Sequence, residues 1–336
     1  MSSNPSPGPA RPVVIQTMWR TGGTYLAFML RERNPVALFY EPLHEDYSKF
    51  TRADWDGFAA RGDGVTRGHP TKDFHYLTDY PFLPGGGVEG HRAEFAYDRF
   101  VLAAGDPAPE LRTYLNGLLR HAETTNRRPL FKFCRGFLRQ RWLQAQLDPV
   151  IVYLVRKPSG MISSYERIGS GGYFYSGFLR ILRLNRRDAI FAPVYEYVAR
   201  LSPNYATASA ETLASDQLAK LAPEQLARDV FLFFWALALA AHCASDVLVL
   251  DANAFGADPE NRARCGEALS RHTGLEANFA DAAELDPGDQ SIPTFTGTPD
   301  FVRFTEAAVR SIAPNPLFSK LSPALQRQLW ALLTVS

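Results

Sequence analysis

The chain has 336 residues, 46% of them apolar and 21% charged, a composition that excludes collagen-like, low-complexity and disordered readings for its bulk. Lys plus Arg (36) against Asp plus Glu (35) leaves a net charge of +1, so no global field draws the molecule to nucleic acid or an anionic membrane, and any anion it binds must be held locally. Three cysteines, Cys134, Cys243 and Cys265, form no CxxC pair and are odd in number, which argues against a disulfide framework or a zinc site and for a reducing, cytoplasmic compartment.

Residues 1–12 carry four prolines and no apolar run, so they read as a flexible tail and not as a signal peptide. Residues 13–336 read as one domain. Val13-Val14-Ile15 starts a short strand, Trp19 to Thr24 a glycine-containing loop, and Tyr25 to Arg33 a helix. A second strand, Val36 to Tyr40, runs into Glu41-Pro42-Leu43-His44, where the proline ends pairing and puts the segment at the sheet's edge. Residues 44–110, rich in Gly, Pro, Asp and aromatics, read as irregular structure with short helices.

Leu111, Tyr114, Leu115, Leu118, Leu119 and Ala122 recur at helical spacing, and the pattern ends before Pro129. Leu130 to Cys134 reads as a strand, Leu138 to Leu147 as a helix, and Val150 to Val155 as a buried strand, with Pro158 opening a helix that reaches about Ile168. A helix from Pro223 to Ala244 precedes a strand at Val247 to Leu250. Its apolar run, Val230 to Ala241, falls short of the roughly 20 residues a spanning helix needs and reads as a core helix. This alternation predicts an α/β fold, a parallel central sheet flanked by helices on both faces.

Thr21-Gly22-Gly23-Thr24 lies where a strand hands over to a helix, so backbone N–H groups and a helix N-terminus converge there with positive partial charge. Two glycines let an anion approach the backbone, the threonine hydroxyls add donors, and Arg20 adds a full charge at the entrance. The spacing fits neither GxxxxGK[ST] nor GxGxxG. It resembles the 5′-phosphosulfate loop of sulfotransferases, whose basic–Ser/Thr–Gly–(Ser/Thr/Gly)–(Ser/Thr) pattern is met by Arg20-Thr21-Gly22-Gly23-Thr24.

Three further segments extend the resemblance, in the expected order. Arg156-Lys157-Pro158 at a strand end, with Ser164 eight positions after the arginine, resembles the family's 3′-phosphate signature. Lys132-Phe133-Cys134-Arg135 resembles the Lys-x-x-Arg strand end of carbohydrate sulfotransferases, and Phe39 to His44 their Phe-Glu-Pro-Leu segment. The resemblance covers roughly residues 13–165. It implies a P-loop-like fold and, as co-substrate, 3′-phosphoadenylyl sulfate (PAPS), held by Arg20, Thr21, Gly22, Gly23, Thr24, Tyr25, Arg156 and Ser164. It implies no metal, and an acceptor hydroxyl on a carbohydrate or small metabolite, with no nucleic-acid partner.

Sulfuryl transfer needs a base for the acceptor's proton and positive charge for the leaving 5′-phosphate. The resemblance puts a catalytic carboxylate at Glu41, 21 residues after Arg20, with His44 as its competitor. Arg20 and Lys132 would bracket the phosphate and the transferring group, with Arg135 ranked behind Lys132. Loss of the base should then leave donor binding nearly unchanged. Many cytosolic sulfotransferases carry histidine two residues after the strand lysine, where this chain has Cys134, a poor base at neutral pH.

Arg180, Arg183 and Arg187 share a helical face that is expected to be solvated, and Tyr173, Phe174, Tyr175 and Phe178 fit either a cleft lining or the core. Two other readings compete. A P-loop nucleotide kinase would need a loop lysine followed by a magnesium-binding Ser or Thr, and a Walker-type Asp. A non-catalytic nucleotide-binding protein of the same fold is the other, to which Cys134 lends some weight.

Overall fold

The computed structural model describes residues 11–51, 53–54, 77–167, 173–244, 246–257, 259–280, 282, 295, 299–313 and 318–333. Five strands, β1 (Val13–Thr17), β2 (Val36–Tyr40), β3 (Arg128–Phe133), β4 (Val150–Val155) and β5 (Leu248–Asp251), form one sheet in the order β2-β3-β1-β4-β5, every pair parallel. Parallel neighbours require crossovers. Helices α1 (Gly23–Arg33), α2 (Pro109–Thr124) and α3 (Gln140–Leu147) supply the first three. A longer insertion with α4 (Pro158–Glu166), α5 (Tyr173–Leu184), α6 (Ala192–Leu201) and α7 (Glu224–Cys243) joins β4 to β5, and α8 (Pro259–Thr273), α9 (Pro299–Ile312) and α10 (Pro323–Leu333) follow.

β1 is the central strand, and every one of its residues is buried. The chain leaves β1 toward β2 on one side and later crosses it to reach β4 on the other. In an open parallel sheet such a reversal leaves a crevice beyond the strands' carboxyl ends. The loops after β1, β2, β3 and β4 all open there.

β4, with the sequence VIVYLV, is buried but for its first residue, as a continuous apolar run must be when helices cover both faces of a sheet. Among the described residues, α7 is the one helix long and apolar enough to cross a membrane, and 94% of its apolar window is buried inside the fold. Its Phe231, Phe233 and Phe234 meet Phe174, Phe178, Phe191, Phe137 and Phe100 from other elements. These aromatic contacts form much of the core.

The predicted α/β architecture and all five strands are present, β2 and β4 at their predicted bounds and β3 and β5 with shifted ends. α1 starts at Gly23, two residues before the periodic pattern, and β3 ends at Phe133, so Cys134 lies just past the strand. α4 ends at Glu166, and Ile168 lies outside the described residues. The expected tail is shorter at its inner end: Arg11 pairs with Asp148 at 2.8 Å, and the Pro12 carbonyl accepts from Val150 N–H at 2.8 Å. Residues 1–10 lie outside the described residues.

In the region read as irregular, single turns of 3-10 helix occur at Glu45–Ser48 and Ala93–Ala96. Asp79 closes the outer side of the edge strand there. It accepts from Leu38 N–H at 3.0 Å and is paired with Arg127 at 2.6 Å, so one backbone donor that a new strand would need is already engaged.

Candidate active site

The turn after β1 is built around backbone that few residues tolerate. Arg20 has φ 67° and Gly22 φ 91°, both in the left-handed region, where only glycine sits without cost. Gly23 is required for a different reason: a Cβ there would stand 2.5 Å from Thr17 Cγ2 and 3.0 Å from Lys132 Cε. The turn delivers the N-terminus of α1, which has no side-chain cap and no acidic residue in its first turn. The leading N–H groups of a helix have no intrahelical acceptor, so they and the helix dipole present positive potential to the crevice.

The two threonines have separate roles. Thr21 Oγ1 donates to Met18 O at 3.0 Å, so its proton stabilises the turn itself. Thr24 Oγ1 shares a 2.8 Å hydrogen bond with the Tyr40 hydroxyl and ties the loop to the end of β2. Tyr25 is half-buried, with Phe279 6.3 Å from its ring.

Glu41 and Lys132 meet because β2 and β3 pair in register, Tyr40 opposite Lys132. Glu41 N–H then donates to Lys132 O at 2.7 Å, and Glu41 turns out of the sheet with φ 51°. A non-glycine residue held this way costs about 1–3 kcal/mol and persists where its surroundings enforce it. Lys132 Nζ donates to Glu41 Oε1 and, at 2.9 Å, to Cys134 Sγ. Glu41 Oε2 accepts from Cys134 N–H at 3.0 Å and lies 3.5 Å from Arg135 Nη1. Burial favours the neutral acid, but Lys132, Arg135 and a hydrogen bond with the Cys134 side chain outweigh it and hold Glu41 below the usual carboxylate range.

Cys134 is buried, and Thr17 Oγ1 lies 3.1 Å from its sulfur. Burial and the neighbouring Glu41 push its thiol up to about 11. The thiol is therefore neutral at physiological pH and not a base. His44 is no better placed: its Nδ1 accepts from Asp46 N–H at 3.3 Å and caps the turn at Glu45–Ser48. In that tautomer the ring proton sits on Nε2, which makes that nitrogen a donor.

Arg156 leaves β4 buried, and a Cβ on Gly160 would stand 3.0 Å from its Nε. Its Nη1 donates to the Arg20 carbonyl at 3.2 Å, and its own carbonyl accepts from Trp235 Nε1 at 3.0 Å. Arg20 Nε and Nη2 donate to Ser164 Oγ at 3.2 and 3.0 Å. The structure thus joins Arg20, Arg156 and Ser164 in one cluster, with Arg20 reaching from the loop to α4.

The expectation of a solvated arginine face is corrected. Arg180 is buried, lies 4.7 Å over the Tyr97 ring and pairs with Glu45 at 3.2 Å. Arg183 donates to the carbonyls of Tyr205 and, at 2.7 Å, Ala208, and Arg187 alone is exposed. Phe174 and Phe178 are core residues, while Tyr173 contacts Arg20. Trp19 packs on α5 at Gly177 and Phe178. One face of α5 therefore covers the loop through Tyr173 and Gly177, while Arg180 on the same helix reaches Glu45.

Glu45 is the functional candidate that sequence reading missed. It receives Arg135 at 2.9 Å, Arg180 at 3.2 Å and the Tyr97 hydroxyl at 2.7 Å, extending a chain of alternating charge from Lys132 through Glu41 and Arg135 to α5. Its signal in sequence was a second acid four residues after Glu41. The buried group comprises Lys132, Arg135 and Arg180 around Glu41 and Glu45, leaving positive charge over beside Arg20 and an anion-seeking helix terminus. The site stands on this geometry alone, since no protein-family model and no curated protein matches the chain.

Proposed function

We propose that this protein is a sulfotransferase that moves a sulfuryl group from PAPS to an acceptor hydroxyl on a carbohydrate or small metabolite. The observation that carries the reading is the position of Lys132. Its side chain lies against the glycine loop at Gly23 and its ammonium contacts Glu41, so a cation for the donor's anionic end and a carboxylate for the acceptor's proton share one contact. Gly22, Gly23 and the α1 terminus fit an anion brought close to backbone. Arg156 and Ser164 would take the 3′-phosphate, with Arg20 between the two ends.

In this reading Glu41 accepts the proton as the acceptor oxygen bonds to sulfur and the bond from sulfur to the 5′-phosphate oxygen breaks. Lys132 and Arg20 neutralise charge growing on the departing phosphate. Saturation of Glu41 by Lys132 and Arg135 favours a second reading, a nucleotide-binding protein without chemistry. Incubation with radiolabelled PAPS and a panel of hydroxyl acceptors separates the two, with a parallel arm of labelled ATP for a kinase. Label moving from the sulfate donor alone is the expected result. Transfer from ATP, or donor bound without transfer to any acceptor, contradicts the proposal.

A further inference from the structure

Each oxygen of Glu41 is engaged, Oε1 by Lys132 Nζ and Oε2 by Cys134 N–H and Arg135. The charged and titratable groups facing this carboxylate are Lys132 in β3, Cys134 and Arg135 just after it, Tyr40 and His44 from its own segment, and Tyr47 and Tyr80 behind it. Of these, Lys132 reaches the anion loop at Gly23, while Tyr40 reaches it at Thr24 through a hydroxyl and Arg135 lies over the Trp19 ring. The Lys132 ammonium has three protons, of which Glu41 and Cys134 take two. An anion arriving at the loop therefore competes with Glu41 for the charge of Lys132.

We propose that the Lys132–Glu41 pair is a latch that makes the base conditional on the donor: the donor's anionic end draws Lys132 from Glu41 and frees Oε1 for the acceptor's proton. This rests on the sulfotransferase reading. Reciprocal coupling between two binding events gives the latch a sign, and its dependence on Lys132 separates it from the Coulombic effect of removing one negative charge near the anion. If bound anion raises the proton affinity of Glu41, then neutralising Glu41 must tighten anion binding. The sequence-based expectation that donor affinity ignores Glu41 is thereby replaced by a definite direction.

The test is titration of wild type, Glu41→Gln, Lys132→Met and the double variant with adenosine 3′,5′-bisphosphate. Couplings of this kind typically amount to 5–150-fold, so Glu41→Gln should bind about fivefold or more tighter than wild type, and the gain should shrink to near nothing in the Lys132→Met background. Equal or weaker binding by Glu41→Gln, or the same gain without Lys132, overturns the latch while leaving the sulfotransferase reading in place. Failure of every form to bind the nucleotide overturns both. Should Glu41→Gln not fold, a crystal structure of the wild-type complex decides instead. Lys132 Nζ displaced beyond about 4 Å from Glu41 supports the latch, and an intact pair overturns it.

Discussion

The sequence context of Glu41 places it at a strand end beside the glycine loop, but Tyr40 is the residue opposite Lys132. One register position further would face the other side of the sheet, and the turn at Glu41 returns its side chain to the lysine. What its sequence context could not reveal is that Lys132, Arg135 and the Cys134 N–H share it, since those partners depend on φ 51° at Glu41 itself. Glu45 stayed hidden for a similar reason: Arg135, Arg180 and Tyr97 come to it from three distant stretches of chain. Glu41→Gln should lower turnover roughly 10²–10⁴-fold, the usual range for losing a general base, even while it tightens nucleotide binding. Steady-state rates with saturating donor check this, and turnover within a few-fold of wild type would remove Glu41 from the chemistry.

The sheet was readable element by element, because short apolar runs at strand length alternate with helical periodicity and leave one architecture open. Helical spacing shows which residues share a face and not what that face meets, which is why the arginines of α5 read as solvated. Arg180 is buried by a carboxylate and a tyrosine ring contributed from segments with no periodicity to read. The loop's two glycines give a prediction that separates strain from crowding. Gly22→Ala meets no atom within 4 Å but must hold φ 91°, costing about 1–2 kcal/mol. Gly23→Ala collides with Thr17 and Lys132, costing about 1–3 kcal/mol as overpacking and displacing the lysine. Urea unfolding should show both variants destabilised, and nucleotide titration should show Gly23→Ala losing more affinity than Gly22→Ala. The reverse order would mean that Lys132 does not depend on the loop.

For the molecule as a whole, two buried histidines set the response to acid. His242, against Ala238 O and stacked on Tyr153, and His91, among Tyr47, Phe95 and Tyr114, are each pushed down to about 4 by burial. Below about pH 6.5 the unfolded chain takes up protons that these rings refuse until about pH 4, so stability rises with pH through that window and falls on acidification. At about 1.4 kcal/mol per unit and per group, unfolding free energy should be about 4 kcal/mol lower at pH 5 than at pH 7, a large share of the 5–15 kcal/mol typical of a folded domain. Glu41 and Glu45, held below the usual range, add stability that is lost only at still lower pH. Denaturant unfolding at the two pH values checks the slope, and a flat profile would contradict it. In the proposed function, a chain with a net charge of only +1 concentrates positive charge at the carboxyl ends of β1, β3 and β4 to hold a nucleotide with phosphates at both ends. Titration of wild type and Arg156→Ala with adenosine 3′,5′-bisphosphate and with AMP tests it most directly. A charge-assisted hydrogen bond contributes about 1.5–3 kcal/mol, so wild type should prefer the bisphosphate by at least about tenfold and Arg156→Ala should lose most of that preference while binding AMP almost unchanged. Equal affinity of wild type for the two nucleotides, or equal losses for both in the variant, would contradict the account.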